Sequence, residues 1–300
     1  MCDEHTVEDD AEFLQARGQG DGIAALSRRG FAALSVGALA GCTSMGDAGA
    51  EGATDVAESE VEITTPDGAC DAYFVHPSKG KHAAVLVWPD IMGLRPAFRM
   101  MGKRLAHEGY SVLVVNPYYR TQKGAVLSEG ESFSQPAVRE RLMPMARSLN
   151  AETNATDANA FINWLDKQSV VDTGRKVGTT GYCMGGPFTM RTAAARPDRV
   201  GAGGSFHGGG VATDQPNSPH HLVPKMKASF LFAIAQNDDE RDPQMKVRLR
   251  EAYDAADLPA EIEVYPAQHG WCALDSAVYD EAQAEKAHAR LVALLKTALA

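Results

Sequence analysis

The chain has 300 residues, of which 44% are hydrophobic, 23% charged and 7% aromatic, an ordinary globular composition long enough for one large domain or two small ones. With Gly 28 and Pro 15 it is neither collagen-like nor low-complexity, and no apolar run approaches the roughly 20 residues of a membrane-spanning helix. A formal charge of −10 speaks against a nucleic-acid binder, which would show a basic face.

The acidity is local. Residues 1–41 hold seven acids against three bases and residues 43–60 hold five acids and no base, which leaves 27 acids against 26 bases for residues 61–300. Within the acidic end, Ser27-Arg28-Arg29-Gly30-Phe31 sets a twin arginine before eleven small and apolar residues, 31–41. Leu39-Ala40-Gly41-Cys42 follows and resembles a lipobox, whose cysteine is acylated and becomes the mature N-terminus. Residues 1–41 are therefore expected to be a twin-arginine/lipoprotein signal peptide, with Cys42 the lipidation site at the periplasmic face. The competing reading is a frayed N-terminal helix of a cytoplasmic protein with a chance cysteine. Residues 42–60, rich in Gly, Ala, Thr, Ser and acids, are expected to be a flexible acidic tether. Of five cysteines, Cys70, Cys183 and Cys272 would remain free of the leader and the lipid, an odd count that is no disulfide framework.

From residue 61 the pattern becomes strand, helix, strand. Residues 83–88, 111–115, 177–182, 201–206 and 229–235 are continuous short runs, as in strands buried on both faces. Helical spacing appears near 95–108, 152–168, 186–196, 243–256 and 278–298. This predicts one α/β domain over 61–300, a mostly parallel central sheet with helices on both faces.

Gly181-Tyr182-Cys183-Met184-Gly185-Gly186 closes one of those strands and opens a helix with Pro187 in its first turn. This is the nucleophile-elbow pattern with Cys for Ser, in which small residues permit a sharp turn that exposes the nucleophile. A thiol at a helix N-terminus gains from the positive end of the dipole, and the thiolate is the attacking form. The bland alternative is a buried structural cysteine in a glycine-rich turn. A base and an orienting acid should follow in the order acid, histidine. The strand 229–235 runs into Gln236-Asn237-Asp238-Asp239, and 261–265 runs into Pro266-Ala267-Gln268-His269-Gly270-Trp271. His269 is the expected base and Asp238 its partner, with Asp239 a near rival because a one-residue shift of the strand end exchanges them. A lone histidine is usually a solvated or core residue and acid pairs after strands often cap helices, so the combination and its order carry the inference.

These motifs resemble the dienelactone hydrolase family of the α/β-hydrolase fold, over roughly residues 61–298. The resemblance implies hydrolysis of a carboxylic ester or lactone by a Cys183, His269, Asp238 triad through a thioester intermediate, with the backbone amides of Ile91 and Met184 as the oxyanion hole. It also implies that Asp90, in Trp88-Pro89-Asp90-Ile91, stands where the family has a glutamate that tunes the thiol. The arginine that binds the substrate carboxylate, four residues after the histidine, is Ala273 here; Arg120, Arg139 and Arg141 are the other basic residues weighed for that task.

No metal, redox or organic cofactor is implied. His207-Gly208-Gly209-Gly210 follows the elbow instead of preceding it, and reads as a glycine-rich turn lining the pocket. His220-His221 with nearby acids lacks metal-ligand spacing, and adjacent histidines on an extended chain point apart. Cys272, three residues after His269, is a candidate for a regulatory disulfide with Cys183. The expected partner is a small-molecule ester or lactone, with no nucleic acid and a membrane only through the lipid; oligomeric state is left open. Two other classes stand beside the hydrolase: a catalytically silent ligand-binding envelope lipoprotein, and a thiol redox protein, which should show a close pair such as C-x-x-C and does not.

Overall fold

The structure, a computed structural model, describes residues 4–16 and 54–300. The twin-arginine motif, the apolar stretch after it and Cys42 lie outside the described residues.

Among the described residues eight strands form one sheet, in the order β1-β2-β4-β3-β5-β6-β7-β8. They are β1 (Val56–Thr65), β2 (Gly68–Pro77), β3 (Ala84–Trp88), β4 (Ser111–Val115), β5 (Val177–Tyr182), β6 (Val200–Phe206), β7 (Ser229–Ala235) and β8 (Ala260–Tyr265). The first two make an antiparallel hairpin and β2 pairs antiparallel with β4; every other pairing is parallel. The described helices are α1 (Glu4–Ala16), α2 (Pro96–His107), α3 (Pro136–Ser148), α4 (Ala151–Leu165), α5 (Gly186–Ala195), α6 (Gln236–Arg241), α7 (Met245–Ala255) and α8 (Glu281–Ala298).

Two points differ from the sequence reading. The expected tether gives way to sheet at Val56, because β1 is an edge strand with one wet face. Its Val61, Ile63 and Thr65 turn inward, while Glu58 and Glu60 reach Lys103 and Arg99 of α2, so the acids belong to a strand. His220 and His221 are not on an extended chain: they sit in a 3₁₀ turn, Pro219–Lys225, which brings their ring centroids to 3.9 Å.

The central strands read as unbroken apolar runs because both faces are covered. On one face Phe161, Phe188, Phe230 and Tyr253 pack from α4, α5, β7 and α7; on the other Phe98 and Leu105 of α2 meet Leu291 and Leu295 of α8. Each such buried side chain contributes about 1.5–3 kcal/mol by leaving water. Glycines in β6 make that packing close: a Cβ on Gly203 would lie 2.2 Å from the Phe230 ring. α4 starts on a reciprocal cap, with Asn150 Oδ1 accepting from the Thr153 amide at 3.0 Å and Thr153 Oγ1 accepting from the Asn150 amide at 2.8 Å. From β3 the chain moves outward to β4, and from β5 it moves the other way through β6 to β8. The carboxyl ends of β3 and β5 therefore border the point where the winding reverses, the crevice where open α/β sheets bind ligands.

Candidate active site

Cys183 follows β5 directly, with φ +53° in the left-handed region and only 1% of its surface exposed. The strain is enforced by close approach. A Cβ on Gly181 would lie 2.1 Å from the Gly185 carbonyl oxygen, and one on Gly185 would lie 2.3 Å from that of Trp88. Only glycine permits these contacts, so the elbow folds tightly against the end of β3. Residues Cys183–Gly185 make one 3₁₀ turn that leads into α5. Cys183 is disulfide-bonded, whereas Cys70 and Cys272 are free thiols, so the pairing considered for Cys183 with Cys272 does not form. Burial pushes the Cys272 thiol well above its ordinary value, which makes it inert.

Ile91 and Met184, the expected oxyanion-hole residues, are brought together by Tyr118. Its buried hydroxyl donates to the Ile91 carbonyl at 2.8 Å and lies 3.4 Å from Met184 Sδ. Spacing gave no sign of this tyrosine, which arrives from the loop after β4.

Asp238 and His269 meet as expected, Oδ2 to Nδ1 at 2.7 Å. The acid does not sit on a loop: it lies in the first turn of α6, a short helix begun immediately after β7. Burial raises the Asp238 carboxyl, but the charge of His269 and its hydrogen bond outweigh that and hold it below the ordinary carboxylate value. Asp239 points elsewhere, to Lys246 Nζ at 2.6 and 2.7 Å. Asn237, another residue the spacing did not flag, accepts from the His269 backbone amide at 2.9 Å and fixes the histidine loop to α6.

Asp90 has partners of its own. Arg95 Nη1 and Nη2 hold its two oxygens at 2.6 and 2.9 Å, and the Met92 amide donates to Oδ1 at 2.9 Å. The same guanidinium grips Asp275 at 2.7 and 2.9 Å. Burial lowers the affinity of Arg95 for its proton, but the two carboxylates outweigh it and keep the group charged. Arg95 thus ties the loop after β3 to the segment after His269. The arginines weighed as carboxylate binders are committed as well: Arg120 to Asp67 and Asp157, Arg141 to Glu131, and Arg139 to the carbonyls of Phe133 and Ser134. Ala273 is buried.

Two groups stand over the acid and histidine. His207, after β6, lies with its ring centroid 4.9 Å from that of His269. Helix α1 also reaches the site. Asp9 pairs with Arg241 at 2.5 Å and accepts from Asn237 Nδ2 at 3.4 Å, and Leu14 is buried. Asp10 is pushed up to about 7, mainly by burial, with Asp9 and Asp238 raising it and His269 and Arg241 opposing. No group of three or more metal-ligating side chains occurs among the described residues.

The family model for the dienelactone hydrolase family matches residues 70–299. The chain belongs to the dienelactone hydrolase family. A candidate carboxymethylenebutenolidase of Salmonella typhi is 28% identical over 251 residues, covering 77% of this chain and 88% of that protein. Carboxymethylenebutenolidase 1 of Cupriavidus pinatubonensis is 24% identical over 236 residues, covering 78% and 95%. Among solved structures, a candidate dienelactone hydrolase from Klebsiella pneumoniae superposes with a TM-score of 0.69 at 25% identity, over 81% of this chain and 99% of that one. The eight-stranded sheet is that of the α/β-hydrolase fold, and this dienelactone hydrolase family member is a hydrolase of the ester and lactone class.

Proposed function

We propose that this family member cleaves an uncharged carboxylic ester or lactone by covalent catalysis at Cys183. The observation that carries the reading is the 2.7 Å contact of Asp238 with His269 Nδ1, on the same sheet edge as the Cys183 elbow. With Nδ1–H held by the acid, Nε2 is the basic nitrogen. It takes the Cys183 proton as sulfur bonds to the carbonyl carbon, and the oxyanion is met by the Ile91 and Met184 amides, a donor pair of which each member is worth about 10²–10³ in rate. Collapse breaks the carbon–oxygen bond, and His269 returns the proton to the departing alkoxide. Water, deprotonated by His269, then attacks the thioester and releases the acid and the thiol.

Asp90 is expected to tune the thiol only indirectly, since Arg95 neutralises its carboxylate and fixes the oxyanion loop instead. An uncharged substrate is favoured because Ala273 offers no charge and Arg120 and Arg141 are already paired. In the unprocessed chain the Cys183 disulfide must be reduced before any attack, two thiol equivalents of reductant giving two protein thiols and one oxidised reductant.

The test is p-nitrophenol release from short-chain p-nitrophenyl esters by the reduced full chain, with intact-mass analysis and peptide mapping of the acylated protein. Turnover with an acyl adduct on Cys183 is expected. Turnover without an adduct there sinks the covalent step, and no turnover with neutral esters or cis-dienelactone leaves the ligand-binding reading.

In the same proposal the chain is exported by the twin-arginine route, loses residues 1–41 and with them helix α1, and is held by lipid on Cys42 at the periplasmic face. Recovery in the membrane fraction that is lost in Cys42→Ala is the expected result; equal recovery of both proteins in a soluble fraction overturns it.

In the unprocessed chain, which still carries α1, the position of Asp10 makes the seating of that helix depend on pH. Its carboxyl is at about 7 when seated against an ordinary 3.8, so the seated helix is favoured at low pH and loses that advantage as pH rises toward 7. Hydrogen exchange of residues 8–15 is expected to be about tenfold faster at pH 8 than at pH 5 after correction for intrinsic rates, and Asp10→Asn to abolish the difference. A pH dependence unchanged in Asp10→Asn would assign it to another group.

A further inference from the structure

We propose that His207 is a positioning residue for His269, an aromatic wall that holds the base in its working orientation and backs it when it carries the proton. The proposal rests on the catalytic reading above and adds a residue that the triad pattern does not contain.

His207 is 1% exposed, and neither ring nitrogen has a hydrogen-bond partner among the described residues. Burial, joined by the neighbouring His269 and opposed by Asp238, lowers its proton affinity well below the ordinary histidine value, so the ring is neutral. A neutral imidazole buried without partners leaves one N–H and one lone pair unmet, an arrangement that packing alone does not select. What the ring does touch is aromatic. Its centroid lies 4.9 Å from His269 at 63°, 5.1 Å from Trp271 at 67° and 6.1 Å from Tyr182. His207 therefore stands between the base and the residue just before Cys183, with Trp271 as its other wall.

The backbone is built to keep it there. His207 has φ +39°, unusual for a residue with a side chain, and its amide donates at 2.8 Å to the carbonyl of Ala233 in β7, the strand that leads into the helix carrying Asp238. The next residue is locked as well: a Cβ on Gly208 would lie 2.3 Å from Ser205 Oγ, and one on Gly186 would lie 2.5 Å from Gly208 Cα. The turn after β6 is thereby pressed against the first residue of α5, and any rotation of His207 would disturb the elbow. During acylation His269 gains a positive charge, and an adjacent π-system that is itself uncharged stabilises it, whereas a second cation would oppose it.

The test uses two replacements in the reduced full chain. His207→Asn keeps a residue that tolerates positive φ and removes the ring; His207→Phe keeps a ring and removes the nitrogens. The expected result is a fall of about 10–100-fold in kcat for the Asn variant with KM within about twofold, and recovery to within about threefold of wild type in the Phe variant. Trp271→Phe, which leaves His207 present and loosens its outer wall, is expected to lower kcat by about threefold and serves should the Asn variant not fold. Asn-variant kinetics equal to wild type overturn the proposal, as does a Phe variant as impaired as the Asn variant, which would assign the effect to a ring nitrogen. An unchanged kcat in Trp271→Phe also counts against it. Lack of turnover by wild type is a different failure, that of the catalytic reading itself.

Discussion

In the reduced full-length chain, Cys183→Ala is expected to lower kcat for p-nitrophenyl acetate by about 10⁴-fold or more, to the level sustained by binding and the oxyanion hole alone. The size follows from geometry: a covalent route has no substitute once its nucleophile is gone, and Cys183 is the side chain that the strained φ of +53° presents at the start of the 3₁₀ turn leading into α5. Cys183→Ser is the sharper control. Serine fits the same turn, but a hydroxyl has nothing like the acidity of a thiol at a helix N-terminus, so residual activity of about 1% or less is expected, with an acyl ester replacing the thioester in the mass spectrum. The disulfide adds a second arm. Omission of reductant is expected to silence wild type in proportion to its oxidised fraction and to leave any Cys183→Ala background untouched. An alanine variant that retains more than about a tenth of wild-type turnover would remove Cys183 from the reaction and send the search for a nucleophile elsewhere.

How much of this was legible in the sequence depended on what kind of interaction placed each group. The central strands, Ala84–Trp88, Ser111–Val115 and Ser229–Ala235, announce themselves because burial on both faces demands unbroken apolar runs. The edge hairpin does not: β1 alternates acids with apolar residues and resembles a solvated tether until its register with β2, Val56 to Pro77 and Thr65 to Gly68, is in hand. Helix α3 hides for a similar reason, with Pro144 inside it and only Val138, Leu142 and Met145 buried. At the candidate site, Cys183, Asp238 and His269 stand out in the sequence because chain order and strand ends constrain them. Tyr118, Arg95 and Asn237 act through contacts between segments far apart in sequence, such as the 2.8 Å bond from Tyr118 to Ile91, and spacing carries no trace of those; His207 is legible only as part of a glycine-rich turn lining the pocket. Asp90 shows the limit from the other side. It lies in the loop after β3, but a partner five residues away, Arg95, takes both of its oxygens, a pairing that the expected thiol-tuning role does not contain.

The choice between neighbouring acids yields the second large effect. Asp238→Asn is expected to lower kcat by about 10²–10⁴-fold with little change in KM, and Asp239→Asn to leave both within about twofold. Asp238 is nearly buried and bonds His269 Nδ1, so an amide there offers an N–H where a lone pair is required and stabilises the wrong tautomer. Asp239 instead neutralises Lys246 on the neighbouring helix, an exposed pairing worth about 1 kcal/mol or less. The pH dependence of unfolding should separate the two variants as well. Because the folded Asp238 carboxyl lies below its ordinary 3.8, the stability it contributes is present above that value and is lost as pH falls through the lower, folded value. Asp238→Asn is therefore expected to flatten the acid limb of the stability curve, while Asp239→Asn retains it. The opposite pattern, with turnover lost in the Asp239 variant, would mean that α6 turns by one residue in the working enzyme and that Lys246, now paired with Asp239, releases it to face the histidine.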